Sequence, residues 1–193
     1  MGLQIDKDFA LLYGIMLGDG GLSLAKRRGR KTDGKFITIT GSSVDDVKFF
    51  GEVVRPLLKK YRNKDTNLKY KRNCNAIEYN FIDQRLFDFV ASVGFPIGLK
   101  GNRLFIPKIF YDLKLVEQII AGFFATDGSL VLTKNPNKYY PRLEIRVISV
   151  SLLKEVYSYL LSLGFKGGFY ECKRSNVHAE AYNCVHTKYR IQL

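Results

Sequence analysis

Two aspartates, Asp19 and Asp127, each end an apolar, glycine-containing segment and are each followed by a glycine. Residues 12–20 (LYGIMLGDG) have a counterpart in residues 120–128 (IAGFFATDG), at a constant offset of 108 residues. A carboxylate in the last turn of a helix faces the negative end of the helix dipole, so a bound cation would offset its charge. Two such carboxylates side by side would repel unless they shared a divalent ion, and oxygen ligands of this kind favour Mg²⁺. The pair therefore predicts a magnesium site that contacts phosphate.

Each of these segments also carries small residues four positions apart. They are Gly14 and Gly18 in the first segment and Gly122 and Thr126 in the second. Residues four apart lie on the same face of a helix, so each helix presents a strip of small side chains. Two such strips predict that the two helix backbones approach each other closely.

Three residues predict where these helices begin and end. Gly20 and Gly128 suit the left-handed position just beyond the end of a helix. Asp112 is predicted to cap the start of the second motif helix.

The order of elements repeats along the chain as well. Residues 39–44 align with residues 145–150, here at an offset of 106 residues. Hydrophobic periodicity predicts the order αββαββα in the first half, with Pro56 kinking or interrupting its second helix. We expect an N-terminal repeat over residues 1–95, a connector rich in Gly and Pro over 96–111, and a C-terminal repeat over 112–193 whose last helix is missing. The predicted fold class is α+β with antiparallel sheets.

Composition restricts the partners of the protein. The 193 residues include 31 Lys and Arg against 18 Asp and Glu, a formal net charge of +13, which indicates a nucleic-acid or polyanion partner. With 46% apolar residues the chain buries a core, so disorder is excluded as its main state. No apolar run approaches the roughly 18 to 20 residues that a membrane span needs, and no signal peptide is recognisable. An intracellular protein with no membrane partner is expected.

Polar and basic side chains alternate with apolar ones along several predicted strands. Such alternation places one set on a single face of a sheet, where Lys and Arg neutralise phosphates and Asn and Gln read bases. A solvated face is the ordinary alternative for any one strand, and the net charge argues against it for all of them together. The predicted DNA contacts are Lys26, Arg28, Arg30, Lys35, Lys69, Lys71, Asn73, Asn80, Lys134, Arg142, Arg146, Lys173, Lys188, Arg190 and Gln192.

The two motif segments resemble those of the LAGLIDADG homing endonucleases of the single-chain, two-motif type, and the resemblance covers nearly the whole chain. It implies two pseudo-twofold-related αββαββα repeats that form a DNA-binding saddle of antiparallel sheets. It also implies a monomer, in a prokaryotic cytoplasm or an organelle, that binds duplex DNA at a long, partly degenerate target site of a mobile intron or intein. Such enzymes hydrolyse phosphodiester bonds in both strands and leave 3′ overhangs.

The resemblance also assigns residues to the catalytic site. Asp19 and Asp127 match the metal-binding catalytic carboxylates, with the backbone carbonyls of Gly18 and Thr126 assisting. The implied cofactor is Mg²⁺, with Mn²⁺ as a substitute.

One feature of the family is absent from the expected positions. Members often place Gln or Lys just after the second strand of a repeat, near the scissile phosphates. This chain has Gly-Ser at residues 41–42 and Val-Ile at residues 147–148. Arg146 and Arg190 are candidates to replace those side chains, although a strand arginine more often positions a phosphate or reads a base.

Two other functions stay open at this point. One is an RNA maturase that binds its own intron RNA, and the other is a sequence-specific DNA-binding protein without cleavage activity. Both aspartates favour the endonuclease over the inactive binder, because carboxylates in a DNA-facing cleft repel phosphate unless they hold metal. A zinc site is set aside, because the spacings of its candidate ligands match no common structural zinc pattern. Those candidates are Cys172, His178, Cys184 and His186.

Overall fold

The computed structural model describes residues 2–26, 33–72, 74–136, 138–172 and 188–193. Helices and strands alternate along the chain in a mixed order. The helices are α1 (Lys7–Asp19), α2 (Val47–Phe49), α3 (Arg55–Arg62), α4 (Gln84–Ser92), α5 (Lys108–Asp112), α6 (Val116–Asp127) and α7 (Val150–Ser162), with a π-helical turn at Phe50–Val54 and a 3-10 turn at Gly101–Arg103. The strands are β1 (Gly20–Ala25), β2 (Gly34–Ser42), β3 (Lys69–Tyr70), β4 (Ala76–Ile82), β5 (Gly128–Asn135), β6 (Lys138–Val147), β7 (Gly168–Cys172) and β8 (Lys188–Gln192).

The chain forms two compact units. Unit 1 consists of Met1–Lys100 and Pro107–Thr126, and unit 2 consists of Gly101–Ile106 and Asp127–Leu193. Each contains a four-stranded antiparallel sheet, in the order β1-β2-β4-β3 in unit 1 and β5-β6-β8-β7 in unit 2. The predicted α+β class with antiparallel sheets is confirmed.

The registers of the two sheets are also equivalent. In unit 1 the first residue of β1, Gly20, pairs with Ile39. In unit 2 the first residue of β5, Gly128, pairs with Ile145. The two sheets therefore place equivalent sequence positions at equivalent places in their ladders.

Helix α1 is buried on nearly all sides, as its sequence of consecutive apolar residues indicates. Its N-terminus is capped by Asp6, whose carboxylate accepts the N–H of Phe9 at 2.8 Å. The same carboxylate accepts from the Lys60 ammonium at 2.8 Å and from the Tyr61 hydroxyl. Burial alone would raise the pKa of Asp6, but these hydrogen bonds outweigh it and the pKa is lowered.

The predicted disturbance at Pro56 takes the form of a π-helical turn. Residues 47–62 follow one helical path, and the turn at Phe50–Val54 ends just before the proline. There the N–H of Arg55 reaches the Phe50 carbonyl, five residues back. The Tyr79 hydroxyl donates to the same carbonyl at 3.2 Å. The wider turn places Pro56 in the first turn of α3, the part of a helix that tolerates proline best.

The predicted cap of the second motif helix is wrong. Asp112 is the last residue of the short helix α5, and α6 begins only at Val116. The Leu115 carbonyl, just before α6, accepts a hydrogen bond from the Ile119 N–H at 3.3 Å. Lys114, between the two helices, has a left-handed φ of 56°, which the sequence pattern did not indicate.

Unit 1 is built around α1 and an aromatic cluster. Phe9 lies 4.8 Å from Phe89 between ring centroids, and Tyr13 lies 5.0 Å from Phe110 and 5.7 Å from Phe95. Burial raises the pKa of the Tyr13 hydroxyl well above its usual value. These rings fix α1, α4 and α5 within one core.

Unit 2 leaves one part of its sheet uncovered. Leu22 in β1 and Leu130 in β5 are equivalent, because each lies two residues after the glycine that begins its strand. Leu22 is 1% exposed, and the chain at Ile97 and Gly98 pairs with it from the side. Leu130 is 62% exposed. The same sequence position therefore contributes to the core in unit 1 but not in unit 2.

Within unit 2, residues 101–106 pack against α7. The Ile106 N–H donates to a carboxylate oxygen of Glu155 at 2.7 Å, and the Ser149 hydroxyl donates to the Leu104 carbonyl at 3.3 Å. Burial raises the pKa of Glu155, and the hydrogen bond from Ile106 opposes that effect.

Candidate active site

Helices α1 and α6 touch through their backbones at two glycines. A Cβ atom on Gly14 would overlap the carbonyl oxygen of Ile119 and lie 2.9 Å from its carbon. A Cβ atom on Gly122 would overlap the carbonyl oxygen of Leu11 and lie 2.8 Å from the nitrogen of Ile15. Leu11 precedes Ile119 by the same 108 residues that separate Gly14 from Gly122. The two helices thus make the same contact twice with exchanged roles, and the predicted close approach is confirmed.

The two motif aspartates are the last residues of their helices. Asp19 ends α1 and Asp127 ends α6, and both side chains are partly buried. Each is followed without a loop by the first strand of a sheet. The sequence pattern therefore places each carboxylate where a helix end meets the beginning of an antiparallel sheet.

The predicted left-handed glycines are wrong. Gly20 is extended, with φ −88° and ψ 166°, because β1 begins directly at this residue. Gly128, which begins β5, is also absent from the left-handed glycines of the described residues. Glycine is needed at position 20 for space, since a Cβ atom there would lie 2.6 Å from the Cβ of Met16.

The oxygen atoms at these helix ends suit a hard divalent cation. Each helix end offers one carboxylate and one backbone carbonyl as candidate donors: Asp19 with Gly18, and Asp127 with Thr126. Among the residues that the structure describes, no group of three His, Cys, Asp or Glu side chains could enclose a metal. Mg²⁺ is usually bound through one or two carboxylates, keeps several waters and binds phosphate directly.

A lysine that no sequence pattern indicated lies at the end of α1. The Lys100 ammonium donates to the carbonyls of Leu17 at 3.0 Å, of Met16 at 3.4 Å and of Gly18. The last carbonyls of a helix lack full pairing within it, and a cation here is favoured by the helix dipole. Lys100 lies within residues 96–111, the predicted connector. Its position between Gly98 and Gly101 is the one sequence feature that could have indicated it.

The sheet of unit 1 separates its predicted DNA contacts between two faces. Cross-strand pairing sets Lys69 opposite Glu78 and Asn80 opposite Thr38, on one face. The Lys71 ammonium lies 3.0 Å from Glu78 on that face. Lys35 belongs to the other face, which is covered by α4, and it pairs with the Asp88 carboxylate at 2.5 Å. Lys26 is exposed just after β1.

The sheet of unit 2 shows a similar separation. Arg142 and Arg146 alternate with Leu143 and Ile145 and share the outer face. Lys134 is paired with Tyr139 and lies on the opposite face, with Leu130 and Leu143. The register sets three residues of β8 opposite this region: Lys188 opposite Cys172, Arg190 opposite Arg146 and Gln192 opposite Glu144.

Several predicted residues lie outside the described part of the chain. They are the DNA contacts Arg28, Arg30, Asn73 and Lys173, and the rejected zinc candidates His178, Cys184 and His186. Within the described residues, each helix is too short or too polar to cross a bilayer.

Comparison with known proteins agrees with this geometry. Residues 115–191 match the family model of the LAGLIDADG-like domain. The chain is 26% identical over 135 residues to the uncharacterised protein MJ0314 of Methanocaldococcus jannaschii, covering 64% of this chain and 51% of that protein. The chain thus spans about half the length of the curated relative that it matches.

Solved structures resemble almost the entire chain. Mesophilic variants of the homing endonuclease I-DmoI superpose with a TM-score of 0.64 at 19% identity, covering 96% of this chain and 88% of theirs. I-DmoI in complex with DNA and Ca gives 0.62 at 21% identity, covering 96% and 82%. The meganuclease I-SmaMI bound to uncleavable DNA gives 0.58 at 13% identity, covering 100% and 78%. The chain therefore has the fold seen in these single-chain homing endonucleases, and its residues 115–191 match the LAGLIDADG-like domain.

Proposed function

We propose that this protein is a site-specific endonuclease that cuts both strands of duplex DNA with the help of a divalent metal ion. The observation that carries the proposal is the repeated contact between α1 and α6 at Gly14 and Gly122. That contact joins two helices that end in partly buried aspartates, Asp19 and Asp127, each at the beginning of an antiparallel sheet. A duplex has two scissile phosphates, and a duplicated carboxylate site provides one acidic group for each.

The metal ion is expected to be Mg²⁺, with Mn²⁺ as a substitute. Asp19 and Asp127 would hold it, together with the Gly18 and Thr126 carbonyls, because a carbonyl oxygen has a second lone pair even where it accepts from Lys100. When bound, such an ion lowers the pKa of a coordinated water and stabilises charge on the leaving oxygen. The protein residues orient this chemistry and supply the surrounding charge.

Lys100 is the cation we assign to the site of unit 1. Its ammonium donates to three carbonyls at the C-terminal end of α1, and the last of them belongs to Gly18, which directly precedes Asp19. A fixed cation there reduces the repulsion between the Asp19 carboxylate and an approaching phosphate. Lys100 would therefore supply the positive charge near the scissile phosphate that Gly41 and Ser42 cannot supply.

The outer faces of the two sheets are the proposed DNA-contacting surfaces. Lys69, Lys71 and Asn80 contribute in unit 1, and Arg142 and Arg146 contribute in unit 2. Lysines and arginines neutralise phosphates, while arginine and asparagine also read guanine and adenine in the major groove. Lys35 and Lys134 are not included, because they lie on the opposite faces.

The likeness to nucleases bound to DNA supports this proposal. I-DmoI has been solved with its target DNA and with Ca, Mn or Mg, and I-SmaMI with uncleavable DNA. By analogy we propose a monomer acting on a long, partly degenerate site and leaving 3′ overhangs. The basic composition of the chain favours a phosphate-rich partner in the same way.

A plasmid library carrying long randomised inserts tests the function for any target sequence. The purified protein is incubated with the library in Mg²⁺ or in Ca²⁺ alone, and every broken end is sequenced. Discrete breaks that require Mg²⁺, share one degenerate motif and end in 3′ overhangs are the expected result. Capture of one sequence in Ca²⁺ with no cutting in Mg²⁺ would indicate a DNA-binding protein without nuclease activity. Binding to intron RNA alone would indicate a maturase.

A further inference from the structure

An acidic side chain is buried on the basic face of the unit 2 sheet. The Glu144 side chain is 4% exposed, and one of its carboxylate oxygens accepts from Nη2 of Arg146 at 2.8 Å. The Arg146 side chain is 58% exposed. The pair thus consists of a carboxylate held inside the sheet surface and a guanidinium presented to the outside.

Glu144 is poorly suited to contact DNA itself. A carboxylate that faced the duplex would repel phosphate, and a buried one is out of reach of a base. Burying it also has a cost unless a cation or hydrogen-bond donors compensate. Arg146 is one such partner, and its guanidinium has further N–H donors besides the one that reaches Glu144.

The register places this pair beside the second motif aspartate. Gly128 pairs with Ile145, and Ser129 pairs with Glu144. The residue before Gly128 is Asp127, and the residue after Ile145 is Arg146. Asp127 and Arg146 thus each lie one residue beyond the pair Gly128–Ile145, so Arg146 is a basic residue at the end of the sheet that follows α6, with Arg190 paired to it on β8.

Unit 1 has threonines at the corresponding positions. The residues equivalent to Glu144 and Arg146 are Thr38 and Thr40, because Gly20 pairs with Ile39 as Gly128 pairs with Ile145. In unit 1 the cation at the end of the motif helix is Lys100, which donates to the Leu17 carbonyl. The basic side chain near the end of the motif helix is therefore not equivalent in the two halves.

We propose that Glu144 is a positioning residue that fixes the guanidinium of Arg146 on the phosphate of the DNA strand cut at Asp127. Arg146 makes the contact, and Glu144 acts through it by restricting its orientation. The inference rests on the proposed function and assigns these two residues to the cleavage of one strand.

The test measures cutting of each strand separately. Supercoiled plasmid with the selected target site is cut by saturating protein in Mg²⁺, and each strand is followed by primer extension across the site. For Glu144→Gln we expect one strand to be cut about 10- to 100-fold more slowly while the other keeps its rate, so that nicked circles accumulate. Glu171→Gln makes the same change at an exposed carboxylate on β7 and should leave both rates unaltered.

Two further variants separate positioning from general destabilisation. Arg146→Lys leaves a cation beside Glu144 but removes the planar fork, so it should slow the same strand. Glu144→Gln added to Arg146→Ala should cause no further loss of cutting, because the carboxylate acts through the arginine. A thermal melt of each variant shows whether it remains folded.

The outcomes are distinct. Equal slowing of both strands by Glu144→Gln in a folded protein, or no slowing at all, overturns the inference and leaves the proposed function standing. A wild-type protein that cuts no DNA overturns the proposed function and this inference together.

Discussion

The backbone of Gly14 lies against the carbonyl group of Ile119, with no room for a side chain between them. Because Gly122 makes the equivalent contact with Leu11, the two motif helices are held at backbone distance by a relationship that the sequence repeats. Both contact glycines are therefore required for this packing of α1 against α6.

Replacing either contact glycine with alanine should destabilise the protein. Gly14→Ala and Gly122→Ala each force a methyl group into backbone atoms, which we expect to lower the free energy of unfolding by about 1–3 kcal/mol. Gly51→Ala is the matched control, because nothing lies within 4 Å of the added atom in this helical residue. The free energy of unfolding of this control should rise by roughly 0.5–1 kcal/mol. Urea titrations measure all three, and a Gly14→Ala protein as stable as the wild type would contradict the contact.

The motif aspartates should be required for cutting but not for binding. Asp19→Asn or Asp127→Asn removes an anionic metal ligand while keeping the shape, so double-strand cleavage in Mg²⁺ should be abolished. Binding of the target in Ca²⁺, measured by fluorescence anisotropy, should stay the same or tighten as repulsion of phosphate falls. Asp112→Asn changes an exposed carboxylate and should cut normally. Normal cutting by either motif variant would remove that residue from the site.

Lys100 should support cleavage more than affinity. Lys100→Met removes the cation from the carbonyls of α1, and we expect the cleavage rate at saturating protein to fall on the order of 10²-fold. Lys108→Met, at an exposed position of α5, serves as the control. Single-turnover kinetics measure the rate. A Lys100→Met variant with a wild-type rate would mean that the lysine only caps the helix.

The equivalent leucines of the two sheets should differ in their effect on stability. Leu22→Ala empties a buried position and should cost about 2–5 kcal/mol. Leu130→Ala changes an exposed position and should shift the free energy of unfolding by about 0.5 kcal/mol or less. Equal losses from the two substitutions, measured by chemical denaturation, would show that Leu130 is covered in solution.

Glu155 should make stability depend on pH. Burial raises its pKa in the folded protein, so the folded state binds the proton more tightly than the unfolded chain does. Its favourable contribution is complete below the ordinary glutamate pKa and is lost as the pH rises through the raised value. Glu155→Gln keeps an acceptor for the Ile106 N–H and removes the ionisation.

We therefore expect Glu155→Gln to be more stable than the wild type at pH 7 and to lose that advantage below about pH 4. Melting temperatures across this range measure the effect. Glu52→Gln, an exposed substitution, provides the baseline. A constant difference at all pH values would exclude ionisation as its cause.

The sequence by itself determined the duplicated motif, the fold class and the packing of the two motif helices. These features depend on local periodicity and on small residues at regular spacing, so they can be recognised from the sequence alone. The disturbance at Pro56 was predictable for the same reason, because a missing N–H acts on its own helix.

Tertiary structure decided what depends on residues far apart in sequence. Lys100 lies 82 residues from the Gly18 carbonyl that it contacts, and no spacing rule connects them. Gly20 is extended rather than left-handed because a strand begins at once and Met16 fills the adjacent space. Leu22 and Leu130 have the same local pattern, yet the chain at Ile97 pairs beside the first while the second stays exposed. Local pattern sets which face a side chain takes, but only the path of the whole chain determines what lies opposite that face.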